Sequence, residues 1–137
     1  MTPHVHTVQV YYEDTDHSGV VYHANYLKYF ERAREHLLGV DELVRLYRQD
    51  GVGFVVYQIG AKYREGAVFG DSLEIRTTVR RASDFRAIFV QEVWRPGGTR
   101  AMVEGEVHLC CVNAQQQLVR LPAAVLAMIA SRFPDPG

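Results

Sequence analysis

Residues 12–39, YEDTDHSGVVYHANYLKYFERAREHLLG, decide how this chain reads. Their first part, Glu13 to Gly19, is polar and rich in turn formers, the composition of a loop. From Asn25 the period becomes that of a helix. Tyr26, Phe30, Ala33 and Leu37 fall on one face, while Lys28, Arg32 and Glu35 occupy the other. Gly39 supplies a stop at the C-terminal end. A helix with so purely apolar a stripe needs a large surface to cover it.

Upstream, His6 to Tyr12 alternates, with Val8, Val10 and Tyr12 on one side and Thr7, Gln9 and Tyr11 on the other. That is a strand pattern. Downstream, residues 41–49 predict a short second helix ended by Asp50-Gly51-Val52-Gly53. Residues 54–69 read as a long strand region, with Gly60 and Gly66 as candidate bulges or breaks. After a turn at Gly70-Asp71, Leu73, Ile75, Thr77 and Val79 alternate with Glu74, Arg76, Thr78 and Arg80. A strand over 86–94, a hairpin turn at Pro96-Gly97-Gly98 and a return strand over 100–112 follow. Residues 121–133 predict a terminal helix, and the tail 134–137 is expected to fray. One strand, one long helix and four turn-linked strands predict an α+β fold in which an antiparallel sheet packs on the helix. The absence of repeated strand–helix alternation argues against a doubly wound parallel sheet.

The length of 137 residues suits one domain, taken as 1–133. A net charge of −1 gives no global attraction for nucleic acid or acidic lipid. A polyanion needs only a local basic patch. The opening MTPHVHTVQV has no basic segment followed by an apolar one, and no run approaches the ~18–20 apolar residues of a membrane span. The expectation is a soluble, unexported, cytoplasmic protein. Cys110 and Cys111 are adjacent in an apolar run, where strand neighbours face opposite ways. They read as reduced bystanders.

The densest set of reactive groups, Tyr12 to Asn25, lies where strand meets helix. The first amides of a helix lack intrahelical partners, and its dipole places positive charge there. A carboxylate beside such an end can act on an electrophile whose developing oxyanion those amides hold, as acyl hydrolysis requires.

The segments Tyr11–Asp16, Gly19–Tyr26 and Glu31–Arg34 resemble the 4-hydroxybenzoyl-CoA thioesterase family, in particular its branch of bacterial acyl-CoA thioesterases associated with the Tol–Pal system. The resemblance is dense over residues 8–38 and looser through Gly70–Leu73 and the later strands. It implies a hotdog fold, a sheet wrapped around one long central helix, and hydrolysis of an acyl-CoA to a free acid and CoA. By the same resemblance Asp16 is the catalytic carboxylate, as nucleophile or general base. His23 orients it or a water, and Tyr12 is an aromatic neighbour of the site. Amides around residues 22 and 23 polarise the thioester oxygen. Val21 and Tyr22 line the substrate site. Gly19 lets the loop turn, and Asn25 caps the helix or braces the loop. Arg81 and Ser83, in the basic run from Arg80, are candidate contacts for the phosphates of CoA; Lys62 and Arg64 are further cations to weigh. A dimer with shared sites, or a tetramer, is implied, with acyl carrier protein as a second partner. No cofactor and no metal are expected.

Asp14 reads instead as a local backbone acceptor. His4, His6, Asp14, Asp16, His17 and His23 repeat no metal-ligand spacing. No G-x-S-x-G occurs. The D-x-D is similar to that of aspartate-based phosphotransferases, but those need a parallel sheet, which this order of elements does not supply. Hotdog dehydratases carry their acidic residue on the helix, whereas Asp16 precedes it. The remaining rival is a non-catalytic hotdog module that binds acyl-CoA or acyl carrier protein, though such a binder has no need of an Asp16–His23 pair.

Overall fold

The computed structural model describes residues 2–135, so Pro136 and Gly137 of the expected tail lie outside it. β1 (His4–Gln9) leads through a 3-10 turn, Tyr12–Asp14, and a loop into α1 (Asn25–Leu38). Gly39 at φ 94° closes α1. α2 (Val40–Arg45) follows and runs into a π-helical turn, Leu46–Asp50. β2 (Gly53–Tyr63), β3 (Ser72–Arg81), β4 (Arg86–Trp94), β5 (Val103–Val112), β6 (Leu118–Val119) and α3 (Ala123–Arg132) complete the chain.

Among the described residues the strands form one antiparallel sheet in the order β1-β3-β4-β5-β2, with β6 added on β5. α1 lies on it as the amphipathic pattern demands. Tyr26, Tyr29, Phe30, Ala33 and Leu37 are buried, as are the alternate residues Leu73, Ile75, Thr77 and Val79 of β3. This is the hotdog architecture, an α+β fold, that the sequence predicts.

Several details depart from the expectation. β1 stops at Gln9, and the 3-10 turn swings Tyr12 out to solvent instead of leaving it in line with Val8 and Val10. β2 pairs with β5 and not with its successor β3, so residues 64–71 carry the chain across to the far side of the sheet. The register shift in β2 falls between Val56 and Gln58; Gly60 pairs regularly with Glu106, and Gly66 lies in the crossing link. β6, only two residues long, is too short for any sequence period to announce.

Two core features set how α1 sits. A Cβ on Gly105 would stand 2.5 Å from Cε2 of Phe30, so only glycine lets the ring rest against β5. Beside it, the fully buried Gln91 donates through Nε2 to the Phe30 carbonyl and the Thr77 hydroxyl, both at 3.0 Å. Gln91 also accepts from Nη1 of the buried Arg34 at 3.0 Å. The helix is thereby pinned to β3 and β4 by polar as well as apolar contacts.

Candidate active site

The strand-to-helix junction is built around Asp14. Its carboxylate accepts the Tyr11 N–H and the Asn25 side-chain amide, each at 2.8 Å, and its carbonyl accepts the Tyr22 N–H at 2.9 Å. Burial pushes the Asp14 carboxyl up, but the donors Tyr11 and Asn25 outweigh it and hold the group below the ordinary carboxylate value. The sequence reading of Asp14 as a local acceptor is therefore right. Asn25 braces the loop and does not cap the helix: the N-cap is Ala24, with no side-chain cap bond. The Tyr29 hydroxyl is buried behind this pair. Burial and the nearby Asp14 carboxylate keep its proton on, though among the described residues it makes no hydrogen bond of good geometry.

Beyond Asp14 the chain turns back at Gly19, φ 85°, whose N–H donates to the Asp16 carbonyl at 3.0 Å. The Asp16 N–H donates to the Val20 carbonyl at 2.9 Å, and the Val21 N–H reaches Ala67 of the crossing link at 2.9 Å. The Ala67 N–H in turn donates to the Tyr26 hydroxyl at 3.0 Å, locking link and helix together.

This frame leaves Asp16 exposed at the mouth of a cleft of about 280 Å³ that Val21, His23, Tyr26, Tyr63 and Arg64 also line. Oδ1 of Asp16 accepts both the Ser18 hydroxyl, at 2.6 Å, and the Ser18 N–H, at 2.9 Å. These two bonds, the hydroxyl's first, hold the carboxyl below its ordinary value and keep it ionised near neutrality. Among the described residues Oδ2 has no partner, so one carboxylate oxygen is anchored and the other is free. The His23 ring packs against Tyr22 and Tyr63, with centroids 4.6 and 6.1 Å away. The Tyr22 N–H, expected to polarise substrate, is already bound to Asp14; the amides of His23 and Ala24 have no partner among the described residues.

The other expected site residues lie elsewhere in the single chain. Tyr12 packs edge-on against Phe69 and does not line the cleft. Gly19 serves the turn, and Tyr22 lies outside the cleft lining. Arg81 and Ser83 line a separate cleft of about 670 Å³, where Arg81 pairs with Asp84 and the Ser83 hydroxyl accepts the Phe85 N–H at 3.1 Å. Of the cations weighed, only Arg64 reaches the Asp16 cleft. Size does not mark the chemistry: the roomier clefts lack this carboxylate. Ser18 is the residue the sequence reading missed. Its signal is the Asp-x-Ser spacing, in which an Asp side chain takes the N–H two residues on. No group of three or more His, Cys, Asp or Glu side chains among the described residues could hold a metal.

The sequence profile of the thioesterase-like superfamily matches residues 10–129. The chain belongs to that family. An acyl-CoA thioester hydrolase, YbgC, of Escherichia coli is 35% identical over 122 residues, covering 88% of this chain and 90% of that protein. An acyl-CoA thioesterase, YbgC, of Helicobacter pylori is 44% identical over 86 residues, 63% of each chain. A 1,4-dihydroxy-2-naphthoyl-CoA thioesterase from Synechocystis superposes on this thioesterase-like chain with a TM-score of 0.86, covering 98% of this chain and 99% of its own. At 22% identity that likeness speaks for the fold alone.

Proposed function

We propose that the chain is an acyl-CoA thioesterase that releases a free carboxylic acid and CoA. The observation that carries this reading is the cleft shared by Asp16, with one carboxylate oxygen free, and His23, whose backbone amide, like that of Ala24 just before α1, has no partner among the described residues. The thioester carbonyl carbon sits over Oδ2 of Asp16, and its oxygen faces those amides. Asp16 either attacks the carbon itself, giving a mixed anhydride that water then cleaves, or takes a proton from the water that attacks. In both routes negative charge builds on the carbonyl oxygen, where the amides stabilise it. The bond to sulfur then breaks, and CoA leaves as a thiolate that needs little help from a general acid. The His23 ring orients the carboxylate or the water.

One catalytic domain, residues 1–133, acts as a cytoplasmic homodimer or a tetramer built from it. β2 supports this: it is an eleven-residue edge strand with Val55, Val56, Tyr57, Ile59 and Tyr63 exposed, an edge that proteins ordinarily cover. Arg81 and Ser83 as contacts for the CoA phosphates, and Tyr12 as an aromatic contact, then require a second chain to supply them, because they lie outside the Asp16 cleft of their own chain. Placement in the Tol–Pal-associated branch of the 4-hydroxybenzoyl-CoA thioesterases rests on the motif over residues 11–34.

The test is thiol release from short-, medium- and long-chain acyl-CoA and from benzoyl-type CoA esters, by the native protein and by Asp16→Asn. Turnover that falls by a factor of roughly 10³ or more in a folded Asp16→Asn variant is expected. No turnover of any ester by the native protein would favour a non-catalytic acyl-CoA or acyl-carrier-protein binder.

A further inference from the structure

We propose that Asp14 is a positioning residue of this site: without touching substrate, it fixes the Asp16 loop against the helix start that offers the His23 and Ala24 amides. The inference rests on the thioesterase reading above and assigns a role that the D-x-D spacing alone leaves open.

Three bonds converge on this one residue from three places in the chain. Tyr11, at the end of the strand segment, donates its N–H to Oδ2; Asn25, the first residue of α1, donates its side-chain amide to Oδ1; Tyr22, before the helix, donates its N–H to the carbonyl. The residues that act on substrate lie between those anchors. Among the described residues Asp16 makes side-chain hydrogen bonds only with Ser18, two residues on, so Ser18 sets the orientation of the carboxylate but not its place relative to α1. Among the described residues the direct side-chain bond between this loop and the helix start is the one that Asn25 donates to Asp14. Asp14 is 9% exposed and lies outside the cleft lining, which separates it from substrate. It also consumes the Tyr22 N–H, leaving the two amides that follow without a partner among the described residues.

The pair is chemically reversible, which makes it testable. In a protein carrying Asp14→Asn with Asn25→Asp, the side-chain amide at position 14 still accepts the Tyr11 N–H and now donates to the new carboxylate at position 25. Asp14→Ala loses both side-chain bonds. With an acyl-CoA that the native protein turns over, a displaced nucleophile or amide costs rate more than affinity. Asp14→Ala and Asn25→Ala should lower kcat by about 10- to 100-fold, with KM within about threefold. The exchanged double variant should regain kcat to within about fivefold of native. Circular dichroism and thermal melts restrict the comparison to folded protein, and Asn25→Ala decides if Asp14→Ala does not fold. A folded single variant with kcat within about twofold of native overturns the proposal, provided Asp16→Asn is inactive in the same assay. An exchanged variant that folds but stays as slow as Asp14→Ala overturns it too. A fully active Asp16→Asn removes the carboxylate reading itself and this proposal with it.

Discussion

Substituting Gly105 by alanine should disturb the molecule at one identifiable contact. The new Cβ would lie 2.5 Å from Cε2 and 3.0 Å from Cζ of Phe30. Carbon atoms rest at ~3.5–4.0 Å, so the ring must retreat by about 1 Å. Phe30 is fully buried on α1 and cannot swing aside as a flexible chain end would. Overpacking of this kind costs about 1–3 kcal/mol, offset by up to ~1 kcal/mol because alanine has less freedom to lose on folding than glycine. A net loss of about 1.5 kcal/mol corresponds to a fall in Tm of roughly 5 °C for a chain of this size. Urea denaturation at fixed protein concentration reads the effect, and Phe30→Leu supplies the control. The combined variant should cost at least ~1 kcal/mol less than the two single losses added together. Since α1 presents the candidate amides at its start, turnover should fall in Gly105→Ala and recover in part in the double variant. A Gly105→Ala protein within ~0.5 kcal/mol of native, or strict additivity, would refute the close-approach argument.

Three further outcomes are expected. His4 and His6 are held below their ordinary value of 6.5, first by burial, with Arg132 and His36 acting on His4 and with His36, His4 and Arg32 acting on His6. The folded state therefore resists protons that the unfolded chain accepts, so stability is full above pH ~6.5 and falls as pH drops below it. The urea midpoint should decline from about pH 7.5 to about 5.5 and flatten in His4→Gln with His6→Gln; a native midpoint unchanged over that range contradicts this. Gln91→Leu strips the buried Arg34 of its acceptor and the Phe30 carbonyl of its donor, and should cost about 3 kcal/mol by denaturant titration. Val55→Lys with Ile59→Lys, on the exposed edge strand, should shift sedimentation toward monomer and reduce turnover, whereas an unchanged oligomer would locate the interface elsewhere.

What is legible in the sequence follows from local periodicity. α1 declares itself through Tyr26, Phe30, Ala33 and Leu37, and β3 through strict alternation from Leu73 to Val79; both patterns exist because a single face is buried. The pairing of β2 with β5 is hidden because strand partners are chosen over distances that no window of sequence contains. Gly105 gives no local signal for the same reason: its meaning lies in Phe30, seventy-five positions away, and not in its neighbours. At the candidate site Asp16 and His23 share a cleft as expected, because the motif is contiguous and the loop short. Tyr12, Arg81 and Ser83 do not join them, since a motif lists residues without the turn at 12–14 that redirects one and the sheet that separates the others.

Tyr63 ends the exposed edge strand, and with Arg64 it also walls the cleft beside Asp16. In the proposed dimer, assembly and chemistry thus share one continuous stretch of backbone, which then crosses to the helix through Ala67 and Tyr26. A partner paired along this edge would brace the wall of the site, and its departure would release that wall. The turnover of each copy would then rise with the concentration of the protein itself.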